Sequence, residues 1–415
     1  MSELEIQTGP DESNTDEYDA VKAAGVIAAR PSWIARFVLP PSAKPARGWT
    51  LVRHLIAAVV MVAIMFFLTY EINAFWDYQI ATIAAYLCAI AGLTVLTGLN
   101  GQVSLGHSAL MATGAYTVAL TMQKFSDHNV TSQWTLPLSL LIGALVTAVL
   151  GLIIGLAAAR LRGPYLAGIT LTVAVAVPAI TSGFSGVFKG DQGLSVPVNP
   201  VPASLGAVFP YELWGAWFSI AAVAIVLVVL ANLTRSGFGR KMRAVRDDEV
   251  AASLAGIHVA RTQVITFVVS AACAGVGGGL IAAINQAVSP DAYSLTLSLY
   301  LLLAIVLGGL GSLIGAVWGA IAIVVLPYET TQLMNKITMS SAETAKLKNN
   351  VPLAIFGLAL IVIAIAAPGG LQGLLRRVGR TVRGNNRRGV HSRGPRSGQS
   401  SESSEPTVPT SNAIS

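Results

Sequence analysis

Residues 234–262, TRSGFGRKMRAVRDDEVAASLAGIHVART, form a polar island between two long apolar runs and decide how the rest of the chain is interpreted. A loop that only joins two membrane helices needs a handful of residues, whereas this island has about thirty. Its apolar residues recur at steps typical of an amphipathic helix: Met242, Val245, Val250 and Leu254. Gly256 follows as a natural helix stop. The island therefore predicts a short amphipathic helix outside the bilayer, which presents a face to another protein.

The composition on either side of the island is typical of a membrane protein. Of the 415 residues, 53% are hydrophobic and 11% are charged, against about 25% charged in ordinary globular domains. The charges gather in tails and loops and leave long uncharged runs. Apolar runs of about 20 residues are the length that spans a bilayer as a helix. The sequence therefore predicts an all-α polytopic membrane protein.

Charge and cysteine content narrow the possible functions further. The net charge of +7 lies mostly beside the apolar runs and in an arginine-rich tail, as the positive-inside rule requires, so no nucleic-acid partner is expected. Cys88 and Cys273 lie inside apolar runs and are interpreted as small core residues. The histidines show no metal-ligand spacing, and no nucleophile–base grouping is visible. We therefore expect no metal, no cofactor and no enzymatic activity in the chain itself.

Hydropathy and charge together predict about ten spans, with both termini in the cytoplasm. The predicted spans are 51–70, 78–98, a shorter third span within 97–120, 136–159, 164–183, 212–233, 263–284, 294–309, 313–330 and 350–367. Lysines and arginines follow the positive-inside rule nearly everywhere. The exception is the far-side loop 331–349, in which three lysines outnumber one glutamate. Spans 294–309 and 313–330 are short enough that one of them could be re-entrant.

Three regions follow from this pattern. Residues 1–48 are predicted to be a disordered cytoplasmic segment that turns basic before the first span, and 49–375 to be the membrane domain. The island, 234–262, is its long cytoplasmic loop. Residues 376–415 are predicted to be a disordered cytoplasmic tail rich in arginine and serine. This tail is expected either to bind anionic membrane lipid or to serve as an orientation anchor.

Several ordered motifs resemble one known family. They are GLNGQVSLGHSALMATGAY at 98–116, GRKMRAVRDDEVAASLAGIHVARTQVITFVVSA at 239–271, SPDAY at 289–293, VLGGLGSLIGAVWGA at 306–320 and PGGLQGLLRR at 368–377. Together these motifs resemble the inner-membrane permease subunits of ABC importers for branched-chain amino acids, of the LivM-like type. The resemblance covers roughly residues 80–377, and several motifs in order are more specific than any single glycine pattern.

The resemblance implies that the island is a coupling loop seated in a groove of a cytoplasmic ATPase subunit. The residues implied in this coupling are Arg243, Asp247, Asp248, Glu249, Ala251, Ala252 and Gly256. In the wider importer family this loop reads Glu-Ala-Ala, three residues, then Gly. Here Val250 stands in the place of that glutamate, and Glu249 comes one position early. The alternative interpretation is a solvated loop that only follows the positive-inside rule.

A second group of polar and small residues is predicted near membrane depth, in the segment 97–120. The candidates for a substrate pathway are Gly101, Gln102, Ser104, Gly106 and His107. Polar side chains inside a membrane are costly and often line a pathway. They also serve as hydrogen-bonding contacts between helices, and this is the favoured interpretation for His107 taken alone.

The glycine cluster 308–315 has two possible interpretations. A phosphate loop would need a Gly-Lys-Ser/Thr ending after a strand, and the sequence has neither. Small residues at this spacing are typical of helix packing faces. We therefore interpret the following residues as a packing surface: Gly308, Gly309, Gly311 and Gly315.

The resemblance implies a permease subunit that works with three kinds of protein partner. These are cytoplasmic ATP-binding subunits, a second related permease and an extracytoplasmic substrate-binding protein. Branched-chain amino acids are the first substrate class implied, followed by urea or short amides and then simple sugars. The alternative from a different class is a self-sufficient channel or secondary transporter. Charged side chains are almost absent from the predicted spans, which argues against proton coupling in such a carrier.

Overall fold

A computed structural model describes residues 49–70, 73–130, 132–160, 164–206 and 209–336, with 354–355, 357–358, 362 and 370–373. The predicted segment 1–48 and tail 376–415 lie outside these residues, as do most of the predicted span 350–367 and most of the loop 331–349. The described part is almost entirely helical.

Twelve α-helices are described. They are α1 Trp49–Tyr70, α2 Ala74–Leu93, α3 His107–Asp127, α4 Thr135–Ala158, α5 Pro164–Gly183, α6 Ser185–Phe188, α7 Tyr211–Arg235, α8 Gly237–Asp247, α9 Glu249–Leu254, α10 Val259–Asn285, α11 Leu295–Gly308 and α12 Leu313–Lys336. A π-helical turn, Thr94–Leu99, extends α2, and 3-10 turns occupy Gly190–Gln192, Ala203–Leu205 and Pro290–Tyr293. The strands β1 Leu194–Ser195 and β2 Ala287–Val288 form an antiparallel pair in which Leu194 faces Val288 and Ser195 faces Ala287.

Seven segments of the described chain are long and apolar enough to cross a membrane. They are Ala74–Leu99, Thr135–Ala158, Tyr165–Gly183, Tyr211–Arg235, Val259–Asn285, Pro290–Gly308 and Leu313–Thr330. A helix satisfies most of its backbone hydrogen bonds internally, as a lipid environment requires. The predicted multi-pass helical membrane protein is therefore confirmed, with seven candidate spans in the described residues.

The two remaining predicted spans in this part of the chain are also helical, although neither is among the seven. In α1 the apolar portion, Val52–Phe67, is shorter than the other spans. Helix α3 is more polar because it carries a row of threonines at every fourth position. The hydroxyls of Thr113, Thr117 and Thr121 each donate to the carbonyl one turn earlier, at 2.9, 2.6 and 2.8 Å. Their polarity is thus satisfied within the helix.

Helix α10 is the centre of the bundle, and it packs against α2, α3 and α4. Close packing requires small residues where the backbones approach each other. A Cβ atom on Gly278 would clash with the carbonyl of Met111 in α3, and one on Gly277 would lie 2.6 Å from the carbonyl oxygen of Ala85 in α2. The glycine-rich second half of α10 therefore fixes the distances between these three helices.

The bundle has two ends, which we call the island end and the distal end. Helix α7 runs toward α8 and α9, and α10 returns from them, so both helices have one terminus at the island end. The start of α7, the end of α10 and the strand pair β1–β2 lie at the distal end. The side chain of Gln123, near the end of α3, donates to the carbonyl of Ser195 at 2.7 Å. Helix α3 therefore ends at the distal end as well.

Candidate functional site: a capped island joined to a broken helix

The island folds as two short helices, so the prediction of one amphipathic helix is wrong. Helix α8 begins after Ser236, whose hydroxyl accepts from the backbone N–H groups of Phe238 and Gly239 at 3.1 and 3.4 Å. Asp248 has extended backbone angles and ends α8. Its carboxylate accepts from the N–H groups of Val250 and Ala251 at 2.8 and 3.0 Å, and this cap starts α9. Each helix thus carries its own N-cap.

This division separates the four apolar residues of the island into two pairs. Met242 and Val245, in α8, are buried. Val250 and Leu254, in α9, are 66% and 85% exposed. The inner pair fixes α8 to the bundle, because a buried Met or Val contributes about 1.5–3 kcal/mol. The outer pair leaves an apolar face on α9 with no cover in the described part of the chain.

Gly256 ends α9 at the position that the sequence predicts. Its φ angle of +77° lies in the left-handed region, where a glycine is favoured. The N–H of Gly256 donates to the carbonyl of Ser253, and the N–H of Ile257 donates to that of Ala252, each at 3.0 Å. These two bonds make a Schellman cap, which satisfies the last carbonyls of the helix. Helix α9 is therefore capped at both ends.

The remaining predicted coupling residues divide between structural and exposed positions. The guanidinium of Arg243 donates to the carbonyl of Thr234 at 3.1 Å and so caps the end of α7. Glu249 accepts from the side-chain amide of Gln263 in α10 at 2.8 Å. Asp247 is exposed and pairs with the adjacent Arg246. Ala252 is buried, and Ala251 faces outward.

A break in the helical path lies at the island end of α2. The π-helical turn Thr94–Leu99 leads into residues 100–106, which are not helical, before α3 starts at His107. The break is closed by local bonds: the N–H of Gln102 donates to the carbonyl of Leu96 at 3.2 Å, and Thr97 donates to the carbonyl of Gln102 at 3.0 Å. Non-helical backbone at membrane depth persists only where protein or a cavity surrounds it. Here protein buries Gln102, Ser104 and Gly106, whereas Gly101 and Val103 are exposed.

The candidate pathway residues lie in and beside this break. Gln102, Ser104, Gly106 and His107 are buried, whereas Gly101 is exposed. His107 is fully buried, with Nδ1 3.0 Å from the hydroxyl of Ser104 and Nε2 2.8 Å from the hydroxyl of Ser270 in α10. Both ring nitrogens thus have partners, and His107 joins the break to the central helix.

Two further contacts fix this region to neighbouring helices. Ser108 was predicted as a polar residue near membrane depth, but its partner Ser298 and the residue Thr170 were not singled out from the sequence. The N–H of Leu105 donates to the hydroxyl of Thr170 in α5 at 3.0 Å. The hydroxyl of Ser298 in α11 accepts from the N–H of Ser108 at 2.9 Å and lies 2.7 Å from its hydroxyl. The sequence signal that could have found them is a lone hydroxyl in a span, and spans contain many of these.

One side chain connects the island directly to the break. The guanidinium of Arg246, near the end of α8, donates from one NH group to the carbonyl of Gly98 at 2.8 Å. A Cβ atom on Gly101 would lie 2.9 Å from Cγ of Arg246, so the aliphatic part of this side chain packs against the break. The same guanidinium pairs with Asp247 at 2.7 Å. Arg246 is one of six lysines and arginines in the island, and nothing in the sequence distinguishes it from the others.

The glycine cluster 308–315 approaches the same point from the other side. Gly308 and Gly315 lie backbone to backbone where α11 meets α12, and a Cβ on Gly315 would lie 2.7 Å from the carbonyl oxygen of Gly308. Gly309 and Gly311 have φ angles of +118° and +79° in the turn between the two helices. A Cβ on Gly98 would lie 2.5 Å from the Cα atom of Gly311. The island, the break and this turn therefore meet around Gly98.

Residues 75–367 match the family described as branched-chain amino acid transport system, permease component. The chain belongs to this family. The matched range contains the break, the island and the glycine turn, and also the first four motifs on which the resemblance was based. With its seven candidate spans, this member of the family is a multi-pass membrane protein.

Individual relatives agree with the family. The chain is 32% identical over 264 residues to the high-affinity branched-chain amino acid transport system permease protein LivM of Salmonella typhimurium, covering 58% of this chain and 60% of that protein. It is 32% identical over 271 residues to LivM of Escherichia coli K12, covering 60% and 62%. It is 24% identical over 246 residues to the permease protein LivH of Salmonella typhimurium, covering 57% and 79%. The alignments thus span less than two thirds of either LivM protein. No solved structure matches the chain.

Proposed function

We propose that the chain is a permease subunit of an ABC importer for branched-chain amino acids. The observation that carries this proposal is the capped helix α9, which exposes Val250 and Leu254 at the end of the island. Membership of the family indicates a transport permease, and α9 offers a surface to which an ATPase subunit can bind. The chain itself hydrolyses no ATP in this proposal, and separate subunits provide the energy.

In the proposed topology the island faces the cytoplasm. It carries six lysines and arginines against three acidic residues, the excess that the positive-inside rule associates with cytoplasmic loops. Helix α7 ends at the island and helix α10 starts from it, so both helices have their island end in the cytoplasm. The distal end of the bundle therefore faces outward. With the predicted spans at 51–70, within 97–120 and at 350–367, the topology has about ten spans and both termini in the cytoplasm.

Transmission of force in this proposal starts at α9 and passes through α8 to the break. An ATPase subunit that holds Val250 and Leu254 would move a helix capped at both ends, which resists unwinding. Arg246 supports this path because it bonds α8 to the carbonyl of Gly98 at 2.8 Å. The seven coupling residues then act in two ways. Arg243, Asp248, Gly256 and the buried Ala252 fix the shape of the island, and the exposed Asp247, Glu249 and Ala251 contact the partner.

The other proposed partners follow from the family. The similarity to both LivM and LivH supports a second, related permease that completes the pathway. An extracytoplasmic binding protein would deliver the substrate at the distal end, and membrane lipid surrounds the bundle. The break with Gln102, Ser104 and His107 is the proposed pathway-forming segment, held by its contacts to α5, α10 and α11.

The test is substrate-stimulated ATP hydrolysis by the complex purified through this chain and placed in lipid with its binding protein. Leucine, valine, urea and ribose are added one at a time. Stimulation by leucine or valine is expected. Stimulation by urea alone would keep the importer and change its substrate class. An intact complex without any ATPase would overturn the importer and favour a channel or secondary transporter.

A further inference from the structure

A pocket with basic side chains lies at the island end of the bundle, between α8, the turn after α9 and the start of α10. Its volume is about 240 Å³. One bound water needs about 10–15 Å³ of such space, so a phosphate group fits with room for the group that carries it. Gly256 borders both this pocket and the surface proposed for the ATPase subunit, whereas Val250 and Leu254 do not line the pocket.

Three residues that line this pocket have side chains with N–H donors. Lys241 comes from α8, Arg261 from the first turn of α10, and His258 from the position before α10. Lysine and arginine are positively charged at neutral pH, and an imidazole ring has at least one N–H donor in either protonation state. Within the described residues, none of the three side chains forms an ion pair or a hydrogen bond. Their donors are therefore available to a ligand.

The acidic residues of the island do not neutralise this pocket. Asp247 pairs with Arg246, and Asp248 caps α9 through the N–H groups that follow it. Glu249 accepts from the side-chain amide of Gln263. None of the three carboxylates belongs to a residue that lines the pocket. Like charges that share one site disfavour each other, and an opposite charge between them removes that cost. The pocket therefore favours an anion.

The same pocket has an apolar side, which is formed by Phe238 and Ile265. Ile265 belongs to the candidate span Val259–Asn285 and lies about 9 Å along the helix from its first residue. Its side chain is 36% exposed, and Phe238 is half-buried. A basic pocket with an exposed apolar side chain next to it, at the start of a span, matches a lipid that has a charged headgroup and an acyl chain. Basic residues at a membrane surface attract anionic lipids.

We propose that this pocket binds a phosphate group that carries a net negative charge. Lys241 and Arg261 pair with the phosphate oxygens from two different helices, so the bound phosphate joins α8 to α10, and His258 donates a further hydrogen bond. The headgroup of an anionic phospholipid and free inorganic phosphate share this chemistry. The exposed Ile265 beside the pocket favours the lipid. Neither ligand requires the proposed function, because the residues that bind it all belong to this chain.

The test uses the full chain with its co-purifying subunits in detergent, after removal of bound lipid. Native mass spectrometry measures binding of phosphatidylglycerol against zwitterionic phosphatidylcholine, and equilibrium dialysis measures binding of radiolabelled inorganic phosphate. Lys241→Gln and Arg261→Gln each remove one positive charge from the pocket. Arg240→Gln is the matched control, because Arg240 is an exposed arginine next to Lys241 in the same helix and does not line the pocket. All three side chains are exposed, and substitutions at such positions seldom affect folding.

The expected result is that Lys241→Gln and Arg261→Gln each weaken binding of phosphatidylglycerol about fivefold, as for the loss of one basic residue near a membrane surface. Arg240→Gln should bind as the unaltered chain does. If the two pocket variants lose inorganic phosphate and keep phosphatidylglycerol, the site takes a soluble phosphate and not a lipid. If the unaltered chain binds both lipids equally and binds no inorganic phosphate, the proposal is overturned. It is also overturned if the pocket variants bind as the unaltered chain does, or if Arg240→Gln loses as much as they do, because the basic residues are then only a solvated surface.

Discussion

The contact between Arg246 and Gly98 makes the most direct prediction about how the island drives the membrane helices. Arg246→Ala removes a charge-assisted hydrogen bond of 2.8 Å to a backbone carbonyl at the break. Such bonds contribute about 1.5–3 kcal/mol. The side chain of Arg246 is 40% exposed, so we take the lower value. A loss of about 1.4 kcal/mol corresponds to about a tenfold change in an equilibrium.

The assay is the number of leucine molecules transported per ATP hydrolysed, in the complex reconstituted with its binding protein. Arg246→Ala should lower this ratio about tenfold while the complex still assembles and hydrolyses ATP. Arg246→Lys keeps the charge but lacks the planar fork, so it cannot contact both Gly98 and Asp247 in the same way. It should give an intermediate ratio.

Two control variants separate this contact from general changes in charge. Arg240 is an exposed arginine of the same helix, and Arg240→Ala should leave the ratio unchanged. Asp247→Asn removes the exposed ion pair with Arg246, and exposed pairs contribute about 0–1 kcal/mol, so a larger loss of coupling in this variant would report the contact proposed between Asp247 and the ATPase subunit. Normal coupling by Arg246→Ala, or an equal loss in Arg240→Ala, would refute the reasoning that the Gly98 contact transmits force.

Three other variants test the geometry around this contact. Gly98→Ala should abolish transport or assembly because its Cβ would lie 2.5 Å from the Cα atom of Gly311; Gly168→Ala, which meets nothing within 4 Å, should behave as the unaltered chain in both uptake and yield. Asp248→Ala should weaken coupling through the loss of a helix cap worth about 1 kcal/mol. Asp248→Asn should keep most of it, and equal loss in both variants would mean that the charge and not the cap matters. A side chain at Gly256 would enter open space. Gly256→Trp should abolish uptake because the indole would occupy the surface at which the ATPase subunit is proposed to bind. Gly256→Asn, which tolerates φ of +77°, is its control, and normal uptake by the Trp variant would favour a self-sufficient channel.

The long spans could be predicted from the sequence because few backbone conformations are stable inside a lipid bilayer. An apolar run of about 20 residues must close its own hydrogen bonds, so hydropathy alone locates such helices. Seven predicted spans agree with the candidate spans of the structure to within a few residues. The signal is weaker for 97–120, where Gly101 and Gly106 lie in a segment that is not helical. The polar break could be placed there, but its shape could not.

The error in the island has a specific cause. The prediction of one helix interprets Met242, Val245, Val250 and Leu254 as a single periodic series. However, the step of five residues from Val245 to Val250 departs from helical periodicity. Asp248 is a preferred N-cap residue, followed by an acidic residue and small helix formers. Capping signals inside a periodic segment therefore deserved more weight than the period itself.

Contacts between distant residues could not be obtained from periodicity. His107 meets Ser270 163 positions later, and Ser108 meets Ser298 190 positions later. A single sequence shows that these side chains are polar and inside spans, but it does not pair them. The same holds for Arg246 and Gly98, which are 148 positions apart.

The position of Gly98 limits how the island can move. Its carbonyl is bonded by Arg246 from α8, and its Cα faces the backbone of Gly311 in the turn between α11 and α12. Because close backbone contacts leave no room for compression, a shift of α8 either breaks the bond to Gly98 or displaces the break. If the break moves, either α5 moves with it or the hydrogen bond from the N–H of Leu105 to Thr170 in α5 is lost. A short series of direct contacts thus leads from the island into the bundle, and single substitutions along it should uncouple ATP hydrolysis from transport without preventing either helix from forming.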